Sequence, residues 1–234
     1  MKIAAWSGPR NLSTAMMYSF GSRSDTIISD EPFYASYLKA TNLEHPMRAK
    51  ILASQSNNPH EIIESCNGPI PLSKGLWYQK HMCTHILDNI SLTWAEKYTN
   101  IFLIRHPSRV ISSYERKREN PTIDDIGFKQ QLKIFNSLGG VVIESSDILK
   151  SPEKTLKTLC RHINVKFESS MLSWSKGGHK DEGVWGEHWY NSAHLSSSFG
   201  PPEGPIPKLS KKLIELYEEA IPIYEKLSSH KIKI

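Results

Sequence analysis

At 234 residues, with 38% hydrophobic and 23% charged side chains, the chain has an ordinary globular composition and enough apolar material for one sizeable core or two small ones. Its 29 lysines and arginines against 24 acids leave a net charge of +5, which suits an anionic ligand but equally a solvated basic face. Cys66, Cys83 and Cys160 are odd in number, widely separated and without Cys-x-x-Cys spacing, so neither a disulfide framework nor a thiolate metal site is indicated, and no apolar run approaches the roughly 18 residues of a bilayer span.

The opening "MKIAAWSGPR" is interrupted by Gly8, Pro9 and Arg10 well short of a signal-peptide core. A cytoplasmic protein without leader or membrane anchor is expected. Lys2 to Trp6 reads as a buried strand, and Leu12 to Phe20 as the helix after it. In "SDEPFYA", Glu31 follows a second strand and precedes a proline. Gly75 to Gln79 is a further strand candidate, with His81 to Asn89 patterned as a helix. Ile101 to Ile104 ("NIFLIRH") is a strand leading into a helix over Pro107 to Arg118, and Ile126 to Leu138 is helical. The strand Val141 to Glu144 precedes a helix over Pro152 to Ile163. This alternation predicts an α/β fold, a mainly parallel sheet flanked by helices on both faces, with ligands beyond the carboxyl ends of the strands.

After Trp174 the periodicity stops. Residues 174–207, rich in glycine and proline but carrying Trp185 and Trp189, read as a folded lid because such rings favour burial. A packing helix follows over about 208–229, with Leu209, Leu213, Leu216 and Tyr217 at helical spacing and Pro222 ending or kinking it. Residues 1–234 are read as a single domain.

Two strand-turn-helix corners carry chemistry. In "WSGPRNLSTAMM", a helix start offers unpaired N–H groups and the positive end of its dipole, and Arg10, Ser13 and Thr14 add donors; a plain helix cap with a surface arginine is the alternative. The triphosphate-loop pattern is not met, since no lysine precedes the hydroxyls. In "IFLIRHPSRVISSY", Arg105 leaves the strand tip and Ser113 lies two turns into the helix. The rise from Pro107 to Ser113 is about 9 Å, within reach of a long guanidinium, so Arg105 and Ser113 are placed to share one phosphate.

Together these corners resemble the sulfotransferase family, which draws a sulfuryl group from 3'-phosphoadenosine 5'-phosphosulfate. "GPRNLSTAMM" is similar to the family's 5'-phosphosulfate loop, often Pro-Arg-Ser-Gly-Thr-Thr, and the resemblance assigns Arg10, Asn11, Ser13 and Thr14 to donor binding. "RHPSRVISSY" is similar to its 3'-phosphate motif, assigning Arg105 and Ser113. "VVIESSDILKSPEKTLKTLCRHINVKF" resembles the strand, acidic turn and helix that come next, with Asp147 at the turn. Leu12 replaces the loop glycine, implying a less open loop and a different approach of backbone to anion. The family's glycine-rich closing element is matched loosely by "SKGGHKDEGVW". The resemblance implies a P-loop-kinase-like architecture, this nucleotide as donor, no metal, a small-molecule acceptor carrying a hydroxyl or amine, and neither nucleic acid nor membrane as partner.

Sulfuryl transfer needs a base and a positive group near the bridging oxygen. The family often has Lys-x-His at a strand end; here His81 directly follows Lys80. On a continuing strand these two face opposite ways, whereas a helix beginning there would put His81 and His85 on one face. A zinc reading of His81 and His85 lacks both the metalloprotease glutamate, since Met82 holds its place, and a third ligand. Glu31 resembles the glutamate that some bacterial sulfotransferases use as base. The candidates are therefore His81, His85 or Glu31 as base, and Lys80 as the cation. Trp185, His188 and Trp189 are candidates to shape the acceptor pocket. Two alternatives are an ATP-dependent P-loop-like phosphotransferase, which would need Mg²⁺, and a non-catalytic nucleotide-binding protein.

Overall fold

The computed structural model describes residues 1–116 and 120–234. In chain order the elements are β1 (Lys2–Ser7), α1 (Ser13–Gly21), β2 (Thr26–Asp30), α2 (Tyr34–Thr41), α3 (Arg48–Ser54), α4 (Pro59–Asn67), β3 (Leu76–Met82), β4 (Thr99–Ile104), α5 (Pro107–Glu115), α6 (Ile123–Ile126), α7 (Phe128–Leu138), β5 (Val141–Glu144), α8 (Ser145–Lys150), α9 (Pro152–His162), α10 (Gly186–Trp189), α11 (Asn191–His194) and α12 (Ile214–Ser228). The strands form one parallel sheet in the order β2-β3-β1-β4-β5, with β1 at its centre.

Alternation along β1 explains the two layers. Ile3 and Ala5 point to one face, where Met16, Met17 and Phe20 of α1 and Leu156 and Leu159 of α9 cover them. Ala4 and Trp6 point to the other, against Ile134 of α7 and Leu227 of α12. A fully buried side chain of this size contributes about 2 kcal/mol by leaving water. The Trp6 indole also donates to Asn100 Oδ1 at 2.8 Å, so its polar edge is satisfied inside the core. The sheet is therefore covered on both faces, as the strand-helix alternation predicts.

Several boundaries differ from the sequence reading. No helix runs from His81 to Asn89: β3 continues to Met82 and a single 3₁₀ turn, Cys83–His85, follows. The cause is pairing with β1, which puts Trp6 opposite His81 and Ser7 opposite Met82 and overrides a local pattern that reads as helical. The helix expected over Ile126 to Leu138 is two helices, α6 and α7, divided at Gly127, whose φ of 73° a side chain would strain. The last expected residues of the helix after Arg105 include Arg118, which lies outside the described residues. α12 continues through Pro222 instead of ending there. The helices α2, α3 and α4 have no counterpart in the sequence reading.

Residues 174–207 fold over the carboxyl ends of the strands through α10 and α11. Two contacts pin the segment, Gly183 N donating to Asp30 Oδ2 at 3.1 Å and the Tyr18 hydroxyl donating to Glu182, and within it His194 Nε2 lies 2.7 Å from Glu182 Oε1. Trp185, within this segment, is almost completely buried. Among the described residues no helix is long and apolar enough to cross a membrane.

At the end of β5 the Glu144 carboxyl is buried and accepts a 2.9 Å hydrogen bond from the Tyr224 hydroxyl of α12. Burial pushes its pKa up to about 7 from an ordinary 4.5. The folded state thus holds this proton more tightly than the unfolded chain between those values, so stability falls as pH rises across the interval and the full cost, about 3 kcal/mol, is present above it. Glu144→Gln is expected to stabilise the protein at pH 8, to change little at pH 4, and to flatten the pH dependence of the denaturant midpoint. A variant curve parallel to the wild type would contradict this assignment.

Candidate active site

The first corner begins where β1 ends. Gly8 is required there, because a Cβ would lie 2.6 Å from the Ile126 carbonyl oxygen. Arg10 and Leu12 then take left-handed φ values of 64° and 67°, which fold the loop back on itself. Leu12 thereby adopts the conformation that a glycine takes freely, at a cost of about 1 kcal/mol. Such strain persists only where surrounding structure imposes it, and it collects at functional sites. Leu12 is also the N-cap residue of α1 and has no side chain to cap it. Ser13 and Thr14 lie inside the helix instead of capping it, and the first intrahelical bond is Met16 N to Leu12 O at 3.1 Å. Leu12, Ser13, Thr14 and Ala15 of that first turn, whose N–H groups have no intrahelical acceptors, line a cavity of about 510 Å³.

The second corner meets the first. Arg105 Nη1 donates to the backbone carbonyl of Arg10 at 2.7 Å, and Arg10 Nε donates to Ser113 Oγ at 2.9 Å. Arg10, Arg105 and Ser113 therefore stand in one cavity wall. The start of α5 is closed by its own residues, since His106 Nδ1 accepts from Ser108 N at 3.3 Å. Asn11 differs in its side chain from the remaining loop residues: its side-chain amide donates to the Leu103 carbonyl at 3.1 Å, while its backbone carbonyl accepts from Ser145 Oγ at 2.9 Å. Its side chain ties the loop to β4, and its main chain ties it to α8. Asp147 lies in the first turn of α8 and pairs with Lys231 at 2.9 Å.

Across the cavity lies a buried ionic cluster. Parallel pairing of β2 with β3 puts Asp30 opposite Lys80, and Glu31 N donates to the Lys80 carbonyl at 2.9 Å. Lys80 Nζ binds Asp30 Oδ1 at 2.9 Å, the Glu31 carboxylate, and the Tyr190 hydroxyl at 2.7 Å. Tyr190, delivered by residues 174–207, also contacts both carboxylates and accepts from Trp185 Nε1 at 3.0 Å. Burial alone would lower the Lys80 pKa, but the two carboxylates outweigh it and hold the ammonium above its ordinary value. Burial raises Asp30 despite the lysine, because two acids share one cation there.

His85 stands at the same end, stacked between Tyr34 and Tyr37 with ring centroids 4.3 and 4.8 Å away. Its Nδ1 is buried without a hydrogen-bond partner, 3.8 Å from Glu31 Oε2. Burial, with help from Lys80, holds it well below its ordinary pKa, so it is neutral at pH 7. His81 is elsewhere. It points to the opposite sheet face, stacked on Trp6 at 4.7 Å and close to Trp94, with burial lowering its pKa to about 3. Neighbours on a continuing strand face opposite ways, so Lys80 reaches the cavity and His81 does not.

Trp189 lines the cavity, Trp185 supports Tyr190 from behind, and His188 is exposed. Asp30, Tyr34, Tyr37 and Tyr190 are site residues that sequence reasoning missed. Only Asp30, adjacent to Glu31 at a strand end, carried a signal that would have found it. Among the described residues no cluster of three or more histidine, cysteine or acidic side chains is disposed to hold a metal ion.

A family model described as "Sulfotransferase domain" matches residues 1–231. Two curated relatives from Arabidopsis thaliana, "Branched-chain-amino-acid aminotransferase-like protein 1" and "protein 2", are 33% and 28% identical over 97% of the chain. The chain spans only 42% and 41% of their lengths. The fold is similar to a sulfotransferase domain from the Synechococcus PCC 7002 olefin synthase (TM-score 0.57, 17% identity, 94% of each chain). It is also similar to a sulfotransferase from Alicyclobacillus acidocaldarius (TM-score 0.60, 10% identity, 99% of this chain and 96% of that one). A sulfotransferase domain from the curacin biosynthetic pathway aligns with TM-score 0.52 at 18% identity over 99% of this chain and 92% of that one. The doubly covered parallel sheet is thus the sulfotransferase, P-loop-kinase-like fold, and by the match across nearly its whole length the chain belongs to the sulfotransferase-domain family.

Proposed function

We propose that the protein transfers a sulfuryl group from 3'-phosphoadenosine 5'-phosphosulfate to a hydroxyl or amine of a small-molecule acceptor. The observation that carries this reading is the junction of Arg10, Arg105 and Ser113 with the uncapped start of α1 in one wall, facing the Glu31–Lys80 cluster across a single cavity. The N–H groups of α1, with Ser13 and Thr14, receive the 5'-phosphosulfate, while Arg105 and Ser113 hold the 3'-phosphate. Arg10 lies between them.

Attack by the acceptor oxygen or nitrogen on sulfur breaks the bond to the 5'-phosphate oxygen and leaves adenosine 3',5'-bisphosphate. The acceptor proton passes to the Glu31–His85 pair: neutral His85 accepts it, and the Glu31 carboxylate beside Nδ1 stabilises the imidazolium that forms. Lys80 and Tyr190 fix Glu31 in place, and Lys80 supplies positive charge at the reacting end. Among the candidate bases, Glu31 and His85 line the cavity.

Thermal shift with adenosine 3',5'-bisphosphate, ADP and ATP, each with and without Mg²⁺, tests the donor assignment. A metal-independent preference for the bisphosphate is expected. Preference for ATP that requires Mg²⁺ would replace the proposal with phosphoryl transfer, and bisphosphate binding without donor turnover across hydroxyl and amine acceptors would leave a non-catalytic binder.

A further inference from the structure

We propose that Arg109 is a further ligand of the nucleotide's 3'-phosphate, and that Glu203 is a built-in anion that occupies the Arg105–Arg109 pair until that phosphate replaces it. This rests on the donor reading above. Arg105 at the tip of β4 and Arg109 in the first turn of α5 converge on one carboxylate. Glu203 Oε1 accepts from Arg105 Nε at 2.8 Å, and Glu203 Oε2 lies 3.1 Å from Arg109 Nε. The Glu203 side chain is only 7% exposed, which is unusual for an acid drawn from a proline-rich surface stretch.

Two guanidiniums gripping one oxyanion is the arrangement that also binds a phosphate, with planar forks matched to its oxygens. Arg10 and Arg116 add to the positive field, since both Arg105 and Arg116 repel the charge on Arg10. A phosphate dianion answers that field better than a single carboxylate. Exchange of one anion for the other also keeps the arginines paired throughout, avoiding the cost of an uncompensated, partly buried charge.

The segment that carries Glu203 is suited to release. Between Gly200 and Lys208 it contains Pro201, Pro202, Pro205 and Pro207 and forms neither helix nor strand. Arg109 also donates to the Gly204 carbonyl, so the arginines that hold the carboxylate hold this strap as well. Gly200 and Pro201 line the cavity, which places the hinge of the strap in the wall of the nucleotide site.

Calorimetric titration of the full chain with adenosine 3',5'-bisphosphate and with adenosine 5'-monophosphate, which lacks the 3'-phosphate, tests the exchange. If Glu203 blocks the pair nine-tenths of the time, Glu203→Gln tightens the bisphosphate about tenfold and leaves the monophosphate unchanged. Arg109→Gln is expected to weaken the bisphosphate about tenfold, again without effect on the monophosphate. In the wild type, the bisphosphate should speed amide hydrogen exchange over residues 203–208. Weaker bisphosphate binding by Glu203→Gln, equal shifts for both nucleotides, an inert Arg109→Gln, or slower exchange in the strap would each overturn the proposal. A wild type that binds no bisphosphate would overturn the donor reading together with it, whereas tight wild-type binding that Glu203→Gln leaves unaltered overturns the exchange alone.

Discussion

Lys80→Met is expected to destabilise the protein by about 3–5 kcal/mol at pH 8, a large share of the roughly 5–15 kcal/mol that holds a domain of this kind folded. The ammonium is buried and is the cation shared by Asp30 and Glu31, both themselves buried. Without it, two buried carboxylates face each other with no cation between them. One of them must then take up a proton, so the loss should shrink as pH falls and be largest above neutrality. Denaturant midpoints at pH 5 and pH 8 measure this. If Lys80→Met does not fold at pH 8, adding Asp30→Asn should restore folding by removing one of the stranded charges. Tyr190→Phe, which deletes one hydroxyl from the same cluster, should cost about 1 kcal/mol. A Lys80→Met loss below 1 kcal/mol that does not vary with pH would show that the cluster is not held by this lysine.

What the sequence made legible follows from where each signal resides. β1, β4 and β5 are buried on both faces, so they read as short continuous apolar runs bounded by glycine, proline or charge. α5 and α9 open on prolines, Pro107 and Pro152, in the position where a missing N–H costs nothing. The two strand-turn-helix corners were legible because each follows such a strand directly.

The end of β3 was not. The His81 to His85 spacing imitates a helix face, and only pairing with β1, far away in the chain, keeps the strand extended to Met82. The helices α2 and α3 were hidden because Phe33 and Met47 stand at their N-cap positions, where no side-chain oxygen announces a start. Tyr190 and Glu203 come from a stretch without periodicity, and their places at the site depend on contacts with Lys80 and Arg105 that no local pattern encodes. Leu12 carries a different lesson. Its replacement of a loop glycine reads as a changed backbone path, yet the residue takes up a left-handed φ, so strain is tolerated there.

Arg105→Ala is the second change with a large expected effect. It removes a guanidinium from the cavity wall, and charge-assisted hydrogen bonds of that kind are worth about 1.5–3 kcal/mol, so affinity for adenosine 3',5'-bisphosphate should fall by about 10- to 100-fold. The same guanidinium supports the Arg10 carbonyl at 2.7 Å, so the thermal midpoint of the free variant must be shown to stay near the wild type. On the proposed assignment adenosine 5'-monophosphate would engage the first corner alone, so its affinity should change little. Calorimetric titration of wild type and Arg105→Ala with these two nucleotides, without Mg²⁺, therefore tests directly whether two strand-to-helix corners hold opposite ends of one molecule. The account predicts a selective loss of the bisphosphate; equal losses for both nucleotides, or none for either, would contradict it.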